Sequence, residues 1–463
     1  LRLRGGRVLT LHDRGDRRSA VGTMFARVGS LRRVIARTGA PSPFPLRAAF
    51  RQTSVNSATI PQGDTEVSPS AAVGSVAATG TPPATVAGTP VKRTYRPMTE
   101  TVRTFLNPAH FYALLRSHGT SFYTGVPDSL LKDICAFITD NTAEENHVIS
   151  ANEGTALAIA AGHYLATHRI ACVYLQNSGL GNLVNPLLSL CSAKVYSIPA
   201  LLLIGWRGEP GKKDEPQHLL QGRLTPSLLT EMGVPYEILP DYAEGAFEVL
   251  DRAYTYMEKE KAPFALLVKK QTFEKYKLKS EVSDQEDKEN MLHREEILEH
   301  VISAFPNEPM VTTTGFTSRE MFELRAHKGQ SHAQDFLTVG SMGHCSSIAL
   351  GIALSQPKRQ VLCVDGDGAA IMHMGSLVTA GKVNLPNFKH ILINNAVHDS
   401  VGGQPTGAAS IDFSVVAKSC GYAHASSVSS ESEIKEALTR LRREDGPSFL
   451  EIRALPGGRG GPR

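Results

Sequence analysis

The sequence has no apolar run that approaches the ~18 residues of a transmembrane helix. Its most apolar stretch, residues 198–206, has the length of a strand. Cysteine is scarce: the six residues form no CxxC pair and have no regular spacing, which argues against a disulfide framework or a structural zinc site and favours a reducing compartment. The body of the chain also lacks a Lys/Arg stripe, so nucleic-acid binding has no support.

Positive charge is concentrated at one end of the chain. Residues 1–60 contain 12 Arg, no Lys and two acidic residues, whereas the rest of the chain has 37 basic and 43 acidic side chains. Residues 24–60 contain no acidic residue, and Val28, Leu31 and Ile35 would form an apolar stripe on a helix. This composition is typical of a transit peptide, so we expect the mitochondrial matrix or a plastid, with the cytoplasm as the alternative.

Strand and helix patterns begin after a segment rich in Ser, Ala, Thr and Pro, residues 53–91, which predicts a flexible linker. Many predicted strands are apolar on both faces, as in a parallel sheet that helices cover. With 41% hydrophobic and 20% charged residues, the chain can bury such cores. The predicted divisions are a disordered tail (1–100), a first domain (101–271), a charged linker (272–293), a second domain (294–455) and a Gly/Arg tail (456–463).

The alternation predicts an α/β fold of two doubly wound parallel-sheet domains with no middle domain. The predicted strands are 121–124, 147–150, 170–175, 199–204, 235–238, 263–268, 309–313, 335–338, 360–364, 388–393 and 447–452. The predicted helices include 128–140, 154–166, 181–191, 241–258, 294–304, 345–355, 374–383 and 430–443.

Polar residues follow two strands of the second domain. Gly366-Asp367-Gly368 follows the apolar run VLCV, and Asn395 follows the run HILI after one intervening helix. Because the carboxyl ends of parallel strands meet at one edge of a sheet, we expect Asp367 and Asn395 to lie close together. A carboxylate and an amide oxygen there can share Mg²⁺ with phosphate oxygens, water and a backbone carbonyl. The glycines allow a diphosphate to approach the backbone.

This arrangement resembles the diphosphate-binding signature of the thiamine diphosphate enzymes. The resemblance implies that Asp367, Asn395 and the main-chain carbonyl of Val397 hold Mg²⁺, while Gly366 and Gly368 lie at the cofactor's diphosphate. The family more usually has Gly-Ala after the paired Asn, where this chain has Ala396-Val397.

The resemblance extends to the first domain, where Glu153 lies between a strand and a helix. It implies that Glu153 hydrogen-bonds the pyrimidine ring and activates the cofactor, that the Gly340 carbonyl contacts the aminopyrimidine, and that Met342 wedges beneath the cofactor. Without it, Glu153 would be an ordinary acid in the first turn of a helix, and Met342 would fill the core. In this family the glutamate and the diphosphate site come from different subunits, which implies a homodimer or larger homo-oligomer with active sites at the interface.

Within the group that lacks a middle domain, the chain most resembles the phosphonopyruvate decarboxylases. The runs TGVPDSLL (124–131), IGWRGEPGKKDEPQH (204–218) and NNAVHDSVGGQPT (394–406) support this. The implied reaction is non-oxidative decarboxylation of 3-phosphonopyruvate to phosphonoacetaldehyde and CO₂, in phosphonate biosynthesis. The alternatives are a sulfopyruvate decarboxylase, an acetolactate synthase-like carboligase and a non-catalytic subunit on the same fold.

An anionic 2-keto acid substrate requires cationic partners near the cofactor. The candidates on the Gly-rich 204–218 run are Arg207, Lys212, Lys213 and His218. Two further histidines, His344 and His398, lie beside the cofactor motifs and are candidates for proton transfer. For the two lysines the alternative is a solvated loop, and for the histidines a structural hydrogen-bonding role.

Overall fold

The computed structural model describes residues 105–280 and 288–458, which all belong to one compact unit of the chain, Thr89–Arg463. The predicted transit segment and the tail over residues 1–100 lie outside the described residues, as do residues 459–463. In the described ranges, no helix has both the length and the apolarity that crossing a membrane requires.

The first half of the described chain alternates strands with helices. Its strands are β1 (Tyr123–Gly125), β2 (His147–Ile149), β3 (Cys172–Gln176), β4 (Leu201–Gly205), β5 (Tyr236–Ile238) and β6 (Phe264–Val268). Its α-helices are α1 (Pro108–Ser117), α2 (Lys132–Asn141), α3 (Glu153–Thr167), α4 (Leu180–Pro186), α5 (Pro216–Glu231) and α6 (Ala243–Glu260).

The second half repeats this alternation. Its strands are β7 (Met310–Thr312), β8 (Asp335–Leu337), β9 (Val361–Gly366), β10 (Phe388–Asn394), β11 (His424–Val428) and β12 (Ser448–Arg453). Its α-helices are α7 (Arg294–Ala304), α8 (Phe316–His327), α9 (Cys345–Ser355), α10 (Asp367–Met372), α11 (Gly375–Val383), α12 (Phe413–Ser419) and α13 (Glu431–Arg443).

Each half builds one six-stranded sheet in which all neighbouring strands are parallel. The first sheet has the order β2-β1-β3-β4-β6-β5, and the second, read in the same direction, has β8-β7-β9-β10-β12-β11. The strand order is therefore the same in both halves. This confirms the predicted pair of doubly wound parallel sheets, and it places the residues that follow adjacent strands at a common carboxyl edge.

Helices cover both faces of each sheet, which explains why the strands are apolar throughout. In β3, Cys172 and Tyr174 pack in one buried cluster, while Val173 and Leu175 pack in the cluster on the opposite face. Successive side chains of a strand point to opposite faces, so a strand buried on both sides has no polar alternation.

Several elements lie outside the sequence prediction, notably α5, α8, α12 and β11. The long helix α5 contains Pro226 and exposes four leucines, so its pattern has no single apolar face. Strand β11 reads HASSV and lies at the edge of its sheet, where burial does not select apolar residues. Helical periodicity and apolar runs are weak in these segments because each of them is only partly covered.

The segment that the sequence analysis assigns to a linker, residues 272–293, begins packed against the first half. Phe273 is buried and forms a β-bridge with Leu106. The backbone N–H of Tyr276 donates to Oδ1 of Asp133 at 3.0 Å. The described part of this segment, residues 272–280, is therefore held by the first half, and residues 281–287 lie outside the described chain.

Candidate functional site

Asp367 begins α10 directly after β9, at the carboxyl edge of the second sheet. Its carboxyl group is buried, and Oδ2 accepts a hydrogen bond of 2.5 Å from the hydroxyl of Thr406. Burial raises the pKa of Asp367 to about 7, because an ionised carboxylate loses its hydration there. A divalent cation beside this carboxylate would reverse that penalty, so the group suits a metal ligand.

Asn395 follows β10, the neighbour of β9, and an ion pair fixes its orientation. Its amide Nδ2 donates to Oδ2 of Asp399 at 2.7 Å. Asp399 also accepts from Arg294 at 2.9 Å, and Arg294 is held by Glu320 at 2.8 and 2.9 Å. Because Nδ2 donates to Asp399, Oδ1 of Asn395 is left as an acceptor. Among the described residues it accepts one long hydrogen bond, from the Val397 N–H at 3.3 Å.

The structure brings many of the predicted residues into one cavity. The predicted residues that line it are Met342, Gly366, Asp367, Gly368, Asn395, Val397 and His398. Thr313 also lines it, and its buried hydroxyl has no hydrogen-bond partner among the described residues. Buried polar atoms of this kind normally have partners. The oxygens of a diphosphate would accept a hydrogen bond from the Thr313 hydroxyl, and a hard cation would bind the oxygens of Asp367 and Asn395. A Mg²⁺–diphosphate group therefore fits this cavity.

Gly368, the second residue of α10, has a close neighbour that explains why this position is glycine. A Cβ at Gly368 would lie 2.8 Å from Cε1 of His398. The His398 N–H donates to the carbonyl of Gln404 at 2.8 Å, which fixes the loop that carries the ring. Burial lowers the pKa of His398 to about 4, so the imidazole is neutral at neutral pH and can accept a proton.

Ala396 has a left-handed backbone, with φ of 62°. L-residues pay about 1–2 kcal/mol in this conformation, and glycine does not. The position at which this chain departs from the family's usual glycine is therefore one where glycine has a physical advantage. The Ala396 carbonyl accepts the N–H of Thr406 at 3.0 Å, and the Ala396 N–H donates to Oδ1 of Asn394 at 3.1 Å, so both backbone groups of the strained residue are hydrogen-bonded.

The Gly340–His344 segment contributes one residue to the cavity. Met342 lines it, whereas Gly340 and His344 are not among its lining residues. His344 is exposed, and its ring lies 4.4 Å from that of His373. Gly340 lies near α5, where a Cβ on it would be 3.6 Å from Cγ of Gln217.

Glu153 begins α3 at the carboxyl edge of the first sheet, where Asn152 caps the helix. Its carboxyl group is buried, and Oε2 accepts a hydrogen bond of 2.7 Å from Asn182. The carboxyl lies directly over Gly179, where a Cβ would be 2.1 Å from Oε1. Burial raises the pKa of Glu153. Glu153 is not among the residues that line the Asp367 cavity, so the chain does not unite the two acids there.

Arg207 follows β4, and its charge is already matched. Its guanidinium donates to Asp214 at 2.5 to 3.2 Å and to Ser129 at 2.9 Å. Lys212 and Lys213, on the loop between Arg207 and Asp214, are exposed. Within the described part of the chain these two lysines form no ion pair, whereas the pair of Arg207 with Asp214 closes the loop.

His218 differs from the lysines because it is buried, in the first turn of α5. Its Nδ1 has no hydrogen-bond partner among the described residues. Burial lowers the pKa of His218, with the Arg207 charge as a second cause, so the ring is neutral near pH 7.

Asp128 is a buried acid that the sequence analysis does not select. It follows β1, at the same edge as Glu153, and its Oδ1 accepts a hydrogen bond of 2.5 Å from Gln176. Its Oδ2 lies against Gly205, where a Cβ would be only 2.0 Å away. Burial raises the pKa of Asp128. The available signal is its place after an apolar strand, the same signal that identifies Asp367.

Three other supporting residues also lack a strong sequence signal: Arg294, Thr313 and Thr406. Thr406 lies 39 residues from Asp367, and Arg294 lies 105 residues from Asp399. Their roles arise from tertiary contacts between segments that are far apart in the chain. Only Thr313, which ends the run after β7, follows the strand-end rule.

Both halves match known families. Residues 109–228 match the N-terminal TPP binding domain of thiamine pyrophosphate enzymes, and residues 313–452 match the C-terminal TPP binding domain. A phosphonopyruvate decarboxylase of Streptomyces hygroscopicus is 34% identical over 367 residues, which cover 76% of this chain and 88% of the relative. One from Streptomyces viridochromogenes is 32% identical over 364 residues, covering 76% and 89%. A sulfopyruvate decarboxylase of Methanosarcina acetivorans is 26% identical over 368 residues, covering 75% and 91%.

Proposed function

The chain belongs to the phosphonopyruvate decarboxylase family of thiamine pyrophosphate enzymes, and from this we propose that it converts 3-phosphonopyruvate to phosphonoacetaldehyde and CO₂. The observation that carries the proposal is the cavity where Asp367, Asn395 and the unpartnered Thr313 hydroxyl meet. It lies in the half that matches the C-terminal TPP binding domain.

We assign Asp367, Asn395 and the Val397 carbonyl to Mg²⁺, because hard oxygen donors are the ligands that this ion prefers. The Thr313 hydroxyl and the backbone at Gly366 and Gly368 would contact the diphosphate. When bound, thiamine diphosphate supplies the electron sink that decarboxylation of a 2-keto acid requires. The protein's part is to orient the cofactor and substrate and to exclude water around them.

Glu153 would act on the aminopyrimidine ring of the cofactor. Burial raises the pKa of this carboxyl, which suits a group that exchanges a proton with a ring nitrogen. Asn182 engages Oε2, so Oε1 is the atom we assign to that hydrogen bond. His398, which is neutral and lines the cavity, is the second candidate for proton transfer.

We further propose that two copies of the chain complete each active site, because Glu153 does not line the Asp367 cavity of its own chain. Mixing the inactive variants Glu153→Gln and Asp367→Ala tests this. If each site combines two chains, random reassortment of a dimer restores about a quarter of the wild-type activity. Sites made within one chain would give no recovery, and that result would contradict the shared site.

Sulfopyruvate is the alternative substrate, because a sulfopyruvate decarboxylase is also similar to this chain over 368 residues. The test is aldehyde release from phosphonopyruvate, sulfopyruvate and pyruvate by the chain loaded with cofactor and Mg²⁺. We expect kcat/KM for phosphonopyruvate to exceed the others by at least ~10-fold. A preference for sulfopyruvate would overturn the substrate assignment. A C–C coupled product without free aldehyde would indicate a carboligase, and no turnover by a cofactor-loaded chain would indicate a non-catalytic subunit.

We assign recognition of the substrate's anionic group to the loop that carries Lys212 and Lys213. The Arg207–Asp214 pair closes this loop and leaves the two lysines exposed. Replacing both lysines with Ala should raise KM for phosphonopyruvate while leaving KM for pyruvate nearly unchanged. Lys259→Ala, at an exposed position on α6, is the matched control. Equal effects on both substrates would remove the lysines from this role.

We also propose import into the mitochondrial matrix, based on the Arg-rich, acid-free composition of residues 24–60. The test compares the location of a tagged chain with and without this segment. The same location for both would contradict the proposal.

A further inference from the structure

A second cluster of ligand-type side chains lies in the core of the second half, outside the Asp367 cavity. Cys345 begins α9, while Cys363 and Asp365 lie on the same face of β9. His390, on the adjacent strand β10, lies directly opposite Cys363 in the register. All four side chains are buried, with exposures of 0 or 1%. None of them lines the cavity assigned to the cofactor.

Two of the distances between these side chains match those of a tetrahedral metal site. Sγ of Cys345 and Sγ of Cys363 are 3.6 Å apart, and Nε2 of His390 is 3.5 Å from Oδ2 of Asp365. Ligand atoms of the two cysteines and Asp365 all lie within 4.8 Å of one another, and His390 lies at the edge of this group, next to Asp365. Bond lengths of ~2.3 Å to sulfur and ~2.1 Å to nitrogen or oxygen place tetrahedral sulfurs ~3.8 Å apart and an N–O pair ~3.4 Å apart.

We propose that Cys345, Cys363, Asp365 and His390 bind one zinc ion. This inference is independent of the proposed decarboxylase activity. The donor set favours zinc over magnesium, because two thiolates and an imidazole are the ligands that zinc prefers and magnesium avoids. Four protein ligands fill a tetrahedron, so the site would be structural rather than catalytic.

Unsatisfied polar atoms support a missing ligand at this place. Oδ2 of Asp365 and Nε2 of His390 are both buried and have no hydrogen-bond partner among the described residues. Cys345 and Cys363 belong to an apolar cluster that includes Phe388, Leu392 and Phe449, and the His390 ring lies 4.9 Å from that of Phe449. The 3.5 Å between the Asp365 and His390 atoms is long for a hydrogen bond, and a cation shared by the carboxylate and the imidazole would offset the cost of burying both.

The surroundings of the cluster also suit metal ligands. Nδ1 of His390 lies 3.1 Å from the hydroxyl of Tyr422, and Oδ1 of Asp365 accepts the Gly366 N–H at 2.9 Å. Such outer contacts orient ligating side chains and leave the other nitrogen or oxygen for the metal. The cysteine spacing argues against a structural zinc site because these ligands come from one helix and two strands, without the CxxC pattern of common zinc motifs.

Zinc content of the full chain tests the proposal. The protein would carry an affinity tag without histidine, be produced in zinc-supplemented medium, and be analysed by elemental mass spectrometry after gel filtration. We expect about one zinc per chain for wild type and close to none for Cys363→Ser and His390→Asn. Cys191→Ser, which changes a buried cysteine of the first half, is the control and should keep its zinc. Wild-type protein with under ~0.1 zinc per chain would overturn the site.

Two measurements on wild-type protein do not depend on the folding of any variant. Exchange for Co²⁺ should produce the visible absorption of tetrahedral cobalt and a thiolate charge-transfer band, and their absence would overturn the site. Thiols counted in denaturant without reductant should number six, the cysteine content of the chain. A count of four that reductant raises to six would indicate a disulfide, which would also overturn the zinc proposal.

Discussion

The hydroxyl of Thr406 donates a hydrogen bond of 2.5 Å to Oδ2 of Asp367, joining the loop after β10 to the start of α10. This contact fixes the carboxylate that we assign to Mg²⁺. Thr406→Val should therefore weaken Mg²⁺-dependent cofactor binding by ~10-fold or more, as loss of an outer contact to a metal ligand usually does. Isothermal titration with thiamine diphosphate and Mg²⁺ measures the change. Thr406→Ser keeps the hydroxyl and should bind nearly as wild type; equal losses in the two variants would contradict the role of the hydrogen bond.

Gly179 and Gly181 provide a matched pair of glycines beside Glu153. A Cβ at Gly179 would lie 2.1 Å from Oε1 of Glu153, whereas one at Gly181 meets nothing within 4 Å. Gly179→Ala must displace the glutamate, and a misplacement of ~1 Å typically lowers kcat by ~100-fold. Gly181→Ala should stay within ~2-fold of wild type, since alanine is well accepted in a helix. Steady-state kinetics of both variants decide the matter, and similar rates would argue against a positional role for Glu153.

Glu153→Gln should separate binding from turnover. The amide retains the size of the side chain but cannot donate and accept the proton that we assign to Oε1. We expect a loss of ~100-fold or more in kcat, within the range of a general acid–base group, with little change in cofactor affinity. Asp367→Ala should instead weaken cofactor binding, because it removes a carboxylate that we assign to Mg²⁺. Normal turnover by Glu153→Gln would end the assignment of Glu153.

Ala396 allows a test of backbone strain at the cofactor loop. Because its φ is 62°, Ala396→Gly should raise the free energy of unfolding by ~0.5–1 kcal/mol. Ala326→Gly, at an exposed position of α8, should lower it by about the same amount. Urea denaturation of the two variants supplies the comparison. A loss of stability in Ala396→Gly would show that the left-handed residue carries no strain.

The buried His147 should make the free energy of unfolding depend on pH. Burial lowers its pKa to about 4, and Nε2 lies 2.9 Å from the Tyr174 hydroxyl. Below the unfolded pKa of ~6.5 the unfolded chain binds a proton that the native ring does not, so stability falls as the pH drops from ~6.5 towards 4. Between pH 7 and pH 5 the wild type should lose up to ~2 kcal/mol more than His147→Gln. Denaturant unfolding at both pH values measures this difference, and equal losses would exclude His147 as the titrating group.

The sheets and the acidic end of β9 could be predicted from the sequence because buried parallel strands are continuous apolar runs. Asp367 and Asn395 each follow such a run, so their meeting at one edge follows from topology alone. Helix α5 could not be predicted in this way, because its partly exposed surface leaves no apolar periodicity.

The partners of the site residues were beyond sequence reasoning for a different reason. Thr406 and Arg294 reach Asp367 and Asp399 from distant segments, and no local spacing encodes such contacts. Arg207 shows the converse: its charge suggests an anion ligand, but the structure pairs it with Asp214. Residue type indicates what a side chain can do, whereas its neighbours decide whether that capacity is already used.

The two sheets have the same strand order, and we expect the two halves of the chain to fold as separate fragments. Each half holds a complete six-stranded sheet with helices on both faces. Separate expression of the halves from two open reading frames should thus yield fragments that each fold and then recover function when combined. In such a complementation system, the strand-end residues of either fragment could be diversified alone, because Glu153, which we assign to the cofactor ring, lies in one fragment and Asp367, which we assign to Mg²⁺, lies in the other.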